Sequence, residues 1–190
     1  MGDQAHRPPR LILVKHGMPR LEPGAPPSGW DLAQEGQEQA RRLAARLVAL
    51  SPAAIVSSLE PKAAQTADII AAELGLAVGR DACIGEQMND SGPFTDPSAF
   101  QAAVAQMFAE PGRLMMGEET ADEAYNRFSA AIERQLVARP GGPLVAVSHG
   151  RVISLWVSRW YGIDPLPFWR ALDLGTAVLV ADEAPVLIAP

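Results

Sequence analysis

Apolar residues along this chain follow two patterns. Short runs of consecutive apolar residues recur, and the segments between them repeat apolar residues every three or four positions. The runs at 10–14, 53–56, 144–147 and 176–180 have strand length and no in–out alternation, as a sheet covered on both faces requires. Residues 78–84 read as a further strand. The segment 34–50 places Leu43, Leu47 and Leu50 at helical spacing, with Arg41, Arg42 and Arg46 mostly on other faces. Ser58 is placed to cap a helix reaching Leu74, with Pro61 tolerated in its first turn and Gly75 at its end. Helices are also predicted over 98–109, 120–138 and 152–161, and Pro140-Gly141-Gly142 stops the second of these. Segments 19–29, 89–97 and 111–117 read as loops. Strands alternating with helices predict an α/β three-layer sandwich, a mostly parallel central sheet with helices on both faces. Residues 1–190 read as one domain, with a small cap inserted at about 87–117.

Composition narrows the function classes. The chain is 48% hydrophobic and 20% charged, an ordinary globular balance. Its net charge of −6 argues against a nucleic-acid partner, which would want a basic face. No apolar run is long enough to cross a bilayer, so no membrane partner is expected. Met1 to Arg10 lacks the apolar segment of a signal peptide, and His6 stands where a myristoylation signal wants Ser or Thr. His6 reads as solvated. The lone Cys83 lies in an apolar stretch and reads as an inert core residue in a reducing, cytoplasmic setting.

Two strand ends carry the chemistry. Leu11–Val14 runs into Lys15-His16-Gly17, and Leu144–Val147 runs into Ser148-His149-Gly150. In parallel sheets, ligands bind beyond the carboxyl ends of the strands. Gly17 and Gly150 permit close backbone approach to a ligand, and the helix expected after Gly150 favours an anion at its start. Lys62 lies in the first turn of a helix, where a cation is unfavourable for the helix itself. Glu60 offsets it on one reading, and on the other Lys62 serves a bound anion. Lys15, Lys62 and two histidines make a cationic pocket in an acidic protein. Such a pocket suits a phosphate ester: a neutral imidazole can take the phosphoryl group, and the cations neutralise its oxygens. The leaving alkoxide then needs a carboxylic acid. Glu86, just past the third strand, is the best placed candidate and Asp90 the runner-up, while Glu118 and Glu119 read as helix-dipole partners. A metal site of two His and one carboxylate is disfavoured, because the lysines would repel a cation.

With these residues in place, the chain resembles the histidine phosphatase superfamily, which contains the cofactor-dependent phosphoglycerate mutases. Lys15-His16-Gly17 stands where that family carries Arg-His-Gly. Ser57-Ser58 followed by Lys62-Ala63-Ala64-Gln65-Thr66-Ala67 stands where it carries a Ser-rich turn and Arg-Ala-x-Gln-Thr-Ala. Glu86, Gly117-Glu118-Glu119-Thr120 and Ser148-His149-Gly150 match further pieces in order, and the segment from Trp30 to Ala40 is similar to the family's Gly-x-x-Gln-Ala helix start. The resemblance implies a phosphoglycerate mutase-like fold, a phosphohistidine on His16, Glu86 as proton donor, His149 assisting transfer, and neither metal nor cofactor. Both family arginines are lysines here, and lysine cannot grip phosphate bidentately. Each charged hydrogen bond lost costs about 1.5–3 kcal/mol. The family's Asn and Thr after the first His are also absent, with Met18, Pro19 and Glu22 in that loop. The expected function is hydrolysis of a small phosphorylated metabolite. The alternatives are a catalytically degenerate member that binds a phosphorylated ligand or protein, a phosphoglycerate mutase, and a phosphohistidine-protein phosphatase. Trp156, Trp160 and Trp169 are read as core rather than interface, and a homodimer is left open.

Overall fold

The computed structural model of the chain describes residues 11–90 and 96–190. His6, Arg10 and part of the 89–97 loop lie outside them. In chain order the elements are β1 (Leu11–Lys15), α1 (Gln34–Leu47), β2 (Ala54–Ser57), α2 (Pro61–Leu74), β3 (Val78–Arg80), α3 (Pro97–Ala109), α4 (Ala121–Ala138), β4 (Leu144–Ser148), α5 (Gly150–Tyr161), α6 (Pro165–Ala171), β5 (Ala177–Val180) and β6 (Pro185–Ile188). The strands form one sheet in the order β3-β2-β4-β1-β5-β6. β1, β4, β2 and β3 are parallel neighbours, whereas β5 runs antiparallel to β1 and to β6.

Both faces of the sheet are covered, which explains why the strands are apolar throughout. Leu11 and Leu13 of β1 join a core cluster with Phe128, Ile132, Val152, Ile153 and Phe168 from the α4, α5 and α6 side. Ile12 and Val14 point the other way, into a cluster with Leu43 and Leu47 of α1 and Ile70 of α2. α3 belongs to the first side: Val104, Met107 and Phe108 are buried there.

Several boundaries differ from the sequence reading. The third strand stops at Arg80, because the Asp81 carboxylate accepts from the Cys83 amide and folds Ala82–Ile84 into a 3-10 turn. Ser58 does not cap α2. Its hydroxyl accepts from the Glu60 amide, and Glu60 is the residue that precedes the helix. α5 begins two residues early, directly at Gly150. The short elements α6 and β6 were not foreseen. Trp156 is buried, but Trp160 stacks on it from outside and is 64% exposed, so the core reading fails for Trp160. Among the described residues no helix is long and apolar enough to cross a membrane.

Candidate active site

Three neighbouring parallel strands bring the site together. β4 lies between β1 and β2, with Lys15 opposite Ser148 and Ser57 opposite Val147. The ladder continues one residue further on each side: His16 N–H donates to Ser148 O at 3.0 Å, and Ser58 N–H donates to Val147 O at 3.0 Å. His16, His149 and Ser58 are thereby fixed at one edge of the sheet. The two imidazoles meet edge to face with centroids 5.1 Å apart.

His16 is buried, and its Nδ1 lies 2.7 Å from the carbonyl oxygen of Gly17. A carbonyl only accepts, so Nδ1 carries the proton and Nε2 keeps its lone pair. Burial, then His149 and Lys62, hold the His16 pKa well below 6.5. Gly17 is turned to the packing around it: its N–H donates to Thr66 Oγ1 at 3.1 Å, and an added Cβ would stand 2.6 Å from Gly36 O. That contact ties the first strand-end turn to α1. His149 places Nε2 3.0 Å from Ser58 Oγ and 3.2 Å from Glu60 Oε1, while its buried Nδ1 has no partner. Burial lowers its pKa to about 3, with Glu86 opposing and Lys62 reinforcing the shift.

The two lysines are engaged differently. Lys15 Nζ donates to Leu172 O at 2.6 Å. Its stem passes beside Gly150, where an added Cβ would meet Lys15 Cε at 3.2 Å and Trp169 Nε1 at 3.3 Å, so glycine leaves the room both need. Burial lowers the Lys15 pKa, and Glu86 and Asp173 oppose that. A cavity of about 560 Å³ opens beside Lys15, walled by Gln39, Gln101, Trp169 and Asp173 among others, but neither histidine lines it. Lys62 is buried and bonded at 2.6 Å to both Pro27 O and Glu60 Oε2.

Glu86 sits at the start of α5. Its carboxylate accepts from the amides of Arg151 at 3.1 Å, Val152 at 3.1 Å and Gln87 at 3.0 Å. Burial opposes its ionisation, but Arg151, His149 and these amides prevail and hold the pKa below 4.5. Asp90 is exposed and bonded to the Ser28 hydroxyl at 2.6 Å, on the Pro-rich loop. Glu119 is no dipole partner: it is buried and paired with Arg127 at 2.7 Å.

Arg151 and Arg127 of this cluster escaped the sequence reading, and Glu60, read as an offset to Lys62, has a second partner that was not foreseen. Glu60 contacts both Lys62 and His149. Arg151, one residue past Gly150, lies 3.6 Å from Glu86 and donates to Gln87 O at 2.9 Å, with the Phe100 ring beneath it. Arg127 donates to the carbonyls of Cys83, Gly85 and Glu86. A charged residue in the first turn of a helix looks like a dipole partner in sequence, and no spacing rule separates the two cases. Among the described residues no three His, Cys, Asp or Glu side chains group as a metal site.

A family model for the histidine phosphatase superfamily (branch 1) matches residues 11–181. None of the curated proteins searched matches the sequence. Among solved structures, a mycobacterial glucosyl-3-phosphoglycerate phosphatase is similar at TM-score 0.73 and 21% identity, covering 95% of this chain and 97% of that one. Bacillus stearothermophilus YhfR is similar at TM-score 0.70 and 19% identity, covering 94% and 95%. A phosphoserine phosphatase from Entamoeba histolytica gives 0.69 and 19%, covering 94% of each chain. These likenesses show the fold.

Proposed function

The chain belongs to the histidine phosphatase superfamily, branch 1, and from that premise we propose that it hydrolyses a small phosphorylated metabolite through a phosphohistidine on His16. The observation that carries the reading is the state of His16. It is neutral, its Nδ1 proton is committed to the Gly17 carbonyl, its Nε2 keeps a lone pair, and its ring lies against a second buried histidine. That is an imidazole prepared as a nucleophile. The named solved neighbours, two of them phosphatases, support the reaction class by analogy of fold.

In the proposed sequence, His16 Nε2 forms a bond to phosphorus as the ester P–O bond breaks. The leaving oxygen takes a proton from a carboxylic acid, and water then attacks the phosphohistidine and returns the proton. Glu86 is the better placed donor of the two foreseen, since Asp90 is committed to Ser28. The Glu86 pKa is held below the usual carboxylate value, and a phosphate dianion bound beside it would raise it, the direction an acid requires. Lys15, Lys62 and Gly150 line the phosphoryl position in this reading, and Gly17 supports it from behind.

The test uses purified protein and p-nitrophenyl phosphate without added metal. Wild-type turnover is expected, with loss of about 10³-fold or more in His16→Ala and phosphate trappable on His16 of the native protein. No turnover on any ester, with phosphate binding intact, favours the second reading, a non-catalytic phosphate binder. One observation motivates that reading: Lys62 is already neutralised by Glu60.

A further inference from the structure

The surroundings of Glu60 go beyond a helix-start carboxylate. Its Oε2 lies 2.6 Å from Lys62 Nζ. Its Oε1 lies 3.2 Å from His149 Nε2 and accepts from the Glu86 amide at 2.9 Å. The hydrogen bond of that ring nitrogen is to Ser58 Oγ at 3.0 Å, so Glu60 stands beside His149 as a neighbouring charge. The Glu60 side chain is 17% exposed, against 7% for Lys62 and 1% for His149. Here, then, is an anion with acceptor oxygens, set between an ammonium and a buried imidazole. The phosphatase reading places both at the phosphate, Lys62 lining the phosphoryl position and His149 assisting transfer.

We propose that Glu60 is a resident anion of the phosphate site: it occupies the Lys62–His149 arm, a phosphate ester binds by displacing it, and Glu60 thereby sets the site's affinity for phosphate. The proposal rests on the phosphatase reading for its ligand. Its physical basis is the cost of a buried unpaired charge. Lys62 is buried in the first turn of α2, and its ammonium needs a counter-ion there. Glu60 supplies one. Displacement requires no change of fold, because the Glu60 main chain is held by α2: its carbonyl accepts from the amides of Ala63 and Ala64. Only the side chain, with three rotatable bonds, has to swing. The 17% exposure marks the side from which it can leave. Every ligand must then out-compete a tethered carboxylate, which lowers the affinity for phosphate and for phosphate esters by the same factor.

The experiment measures orthovanadate and inorganic phosphate binding by calorimetry at neutral pH. In Glu60→Gln, which keeps the shape and removes the charge, affinity is expected to rise about tenfold or more over wild type. In a Lys62→Met background the same substitution should change affinity less than threefold, because the cation that Glu60 contests is gone. Phosphate should also raise the Tm of Glu60→Gln more than that of wild type, since it replaces the missing counter-ion. Damage to the fold does not produce a gain in affinity. Glu60→Ala serves as a second variant and must show the same sign. Unchanged or weaker binding in both variants, with wild-type turnover intact, overturns this inference alone. Loss of fold in both would make Glu60 a structural residue and also overturn it. If neither wild type nor variant binds either anion and wild type turns over no ester, the phosphatase reading falls and this inference with it.

Discussion

Lys15 and Lys62 stand at two positions where arginine was expected, and they do not behave alike. Lys62 has a carboxylate on it, whereas Lys15 bonds, among the described residues, to the Leu172 carbonyl. A carbonyl is a weak competitor for an ammonium compared with a dianion, so Lys15 is the cation more readily given to phosphate. Lys15→Arg is therefore expected to keep turnover, with KM for p-nitrophenyl phosphate equal to or below that of wild type. The guanidinium adds a fork of donors at the same strand end. Steady-state kinetics on the purified variant check this, and abolished turnover would contradict the role of Lys15 as a simple phosphate clamp. At this scale the sequence was most informative where a residue type is rare and its place is forced. His16 and His149 follow apolar strands and precede glycines, and the strand register puts them side by side. Glu60 was legible only as the partner of Lys62, two residues away, and Arg151 not at all, because their other partners come from distant segments: His149 and the Glu86 amide for one, Glu86 and Gln87 for the other.

Elements hold the site through polar clamps as much as through the core. α4 starts with Thr120, whose hydroxyl and amide exchange bonds with Glu123 in a capping box. One turn further, Arg127 donates to the carbonyls of Cys83, Gly85 and Glu86 and pairs with the buried Glu119. Gln87 completes the joint by donating to the carbonyls of Met88, Met116 and Glu119. The loop that carries Glu86 is thus fixed by α4 and not by the strand before it, which is only three residues long. Arg127→Met removes these bonds and leaves Glu119 buried without its charge partner, so a loss of roughly 3 kcal/mol in urea unfolding is expected. The same change should lower kcat by releasing Glu86 from its position, and a variant as stable and active as wild type would show the clamp to be idle. Periodicity predicted α4 well but could not see this role, because Arg127 lies on the polar stripe of its helix. The unforeseen α6 and β6 are seven and four residues long, too short to display a period, and each opens on a proline. Asp164 caps α6 by accepting from Leu166, a signal that the sequence did contain.

For the molecule as a whole, the histidine pair couples the site to global stability. Both imidazoles are kept neutral in the fold, chiefly by burial. In the unfolded chain they titrate near 6.5, so above that pH both states are neutral and their contribution is complete. Between 6.5 and the folded value, about 3 for His149, the unfolded state binds protons that the folded state refuses. Stability therefore falls with falling pH by about 1.4 kcal/mol per pH unit for each histidine. Glu86 acts in a lower window. Its folded pKa lies below 4.5, so its contribution is whole above that pH and is lost as the pH falls through the folded value. The acidic chain, at net −6, gains little compensating charge relief near neutrality. Guanidinium unfolding between pH 7.5 and pH 5.0 should accordingly show a drop of up to about 4 kcal/mol, nearly all of it below pH 6.5. A His16→Asn, His149→Gln double variant should lose less than half as much over the same range, whatever its stability at pH 7.5. A wild-type profile that stays flat from 7.5 to 5.0 would mean that the imidazoles are hydrated and able to charge in the fold. In that case His16 would lose its neutral Nε2 as the site acidifies, and the nucleophile on which the proposed reaction depends would be absent below pH 6.5.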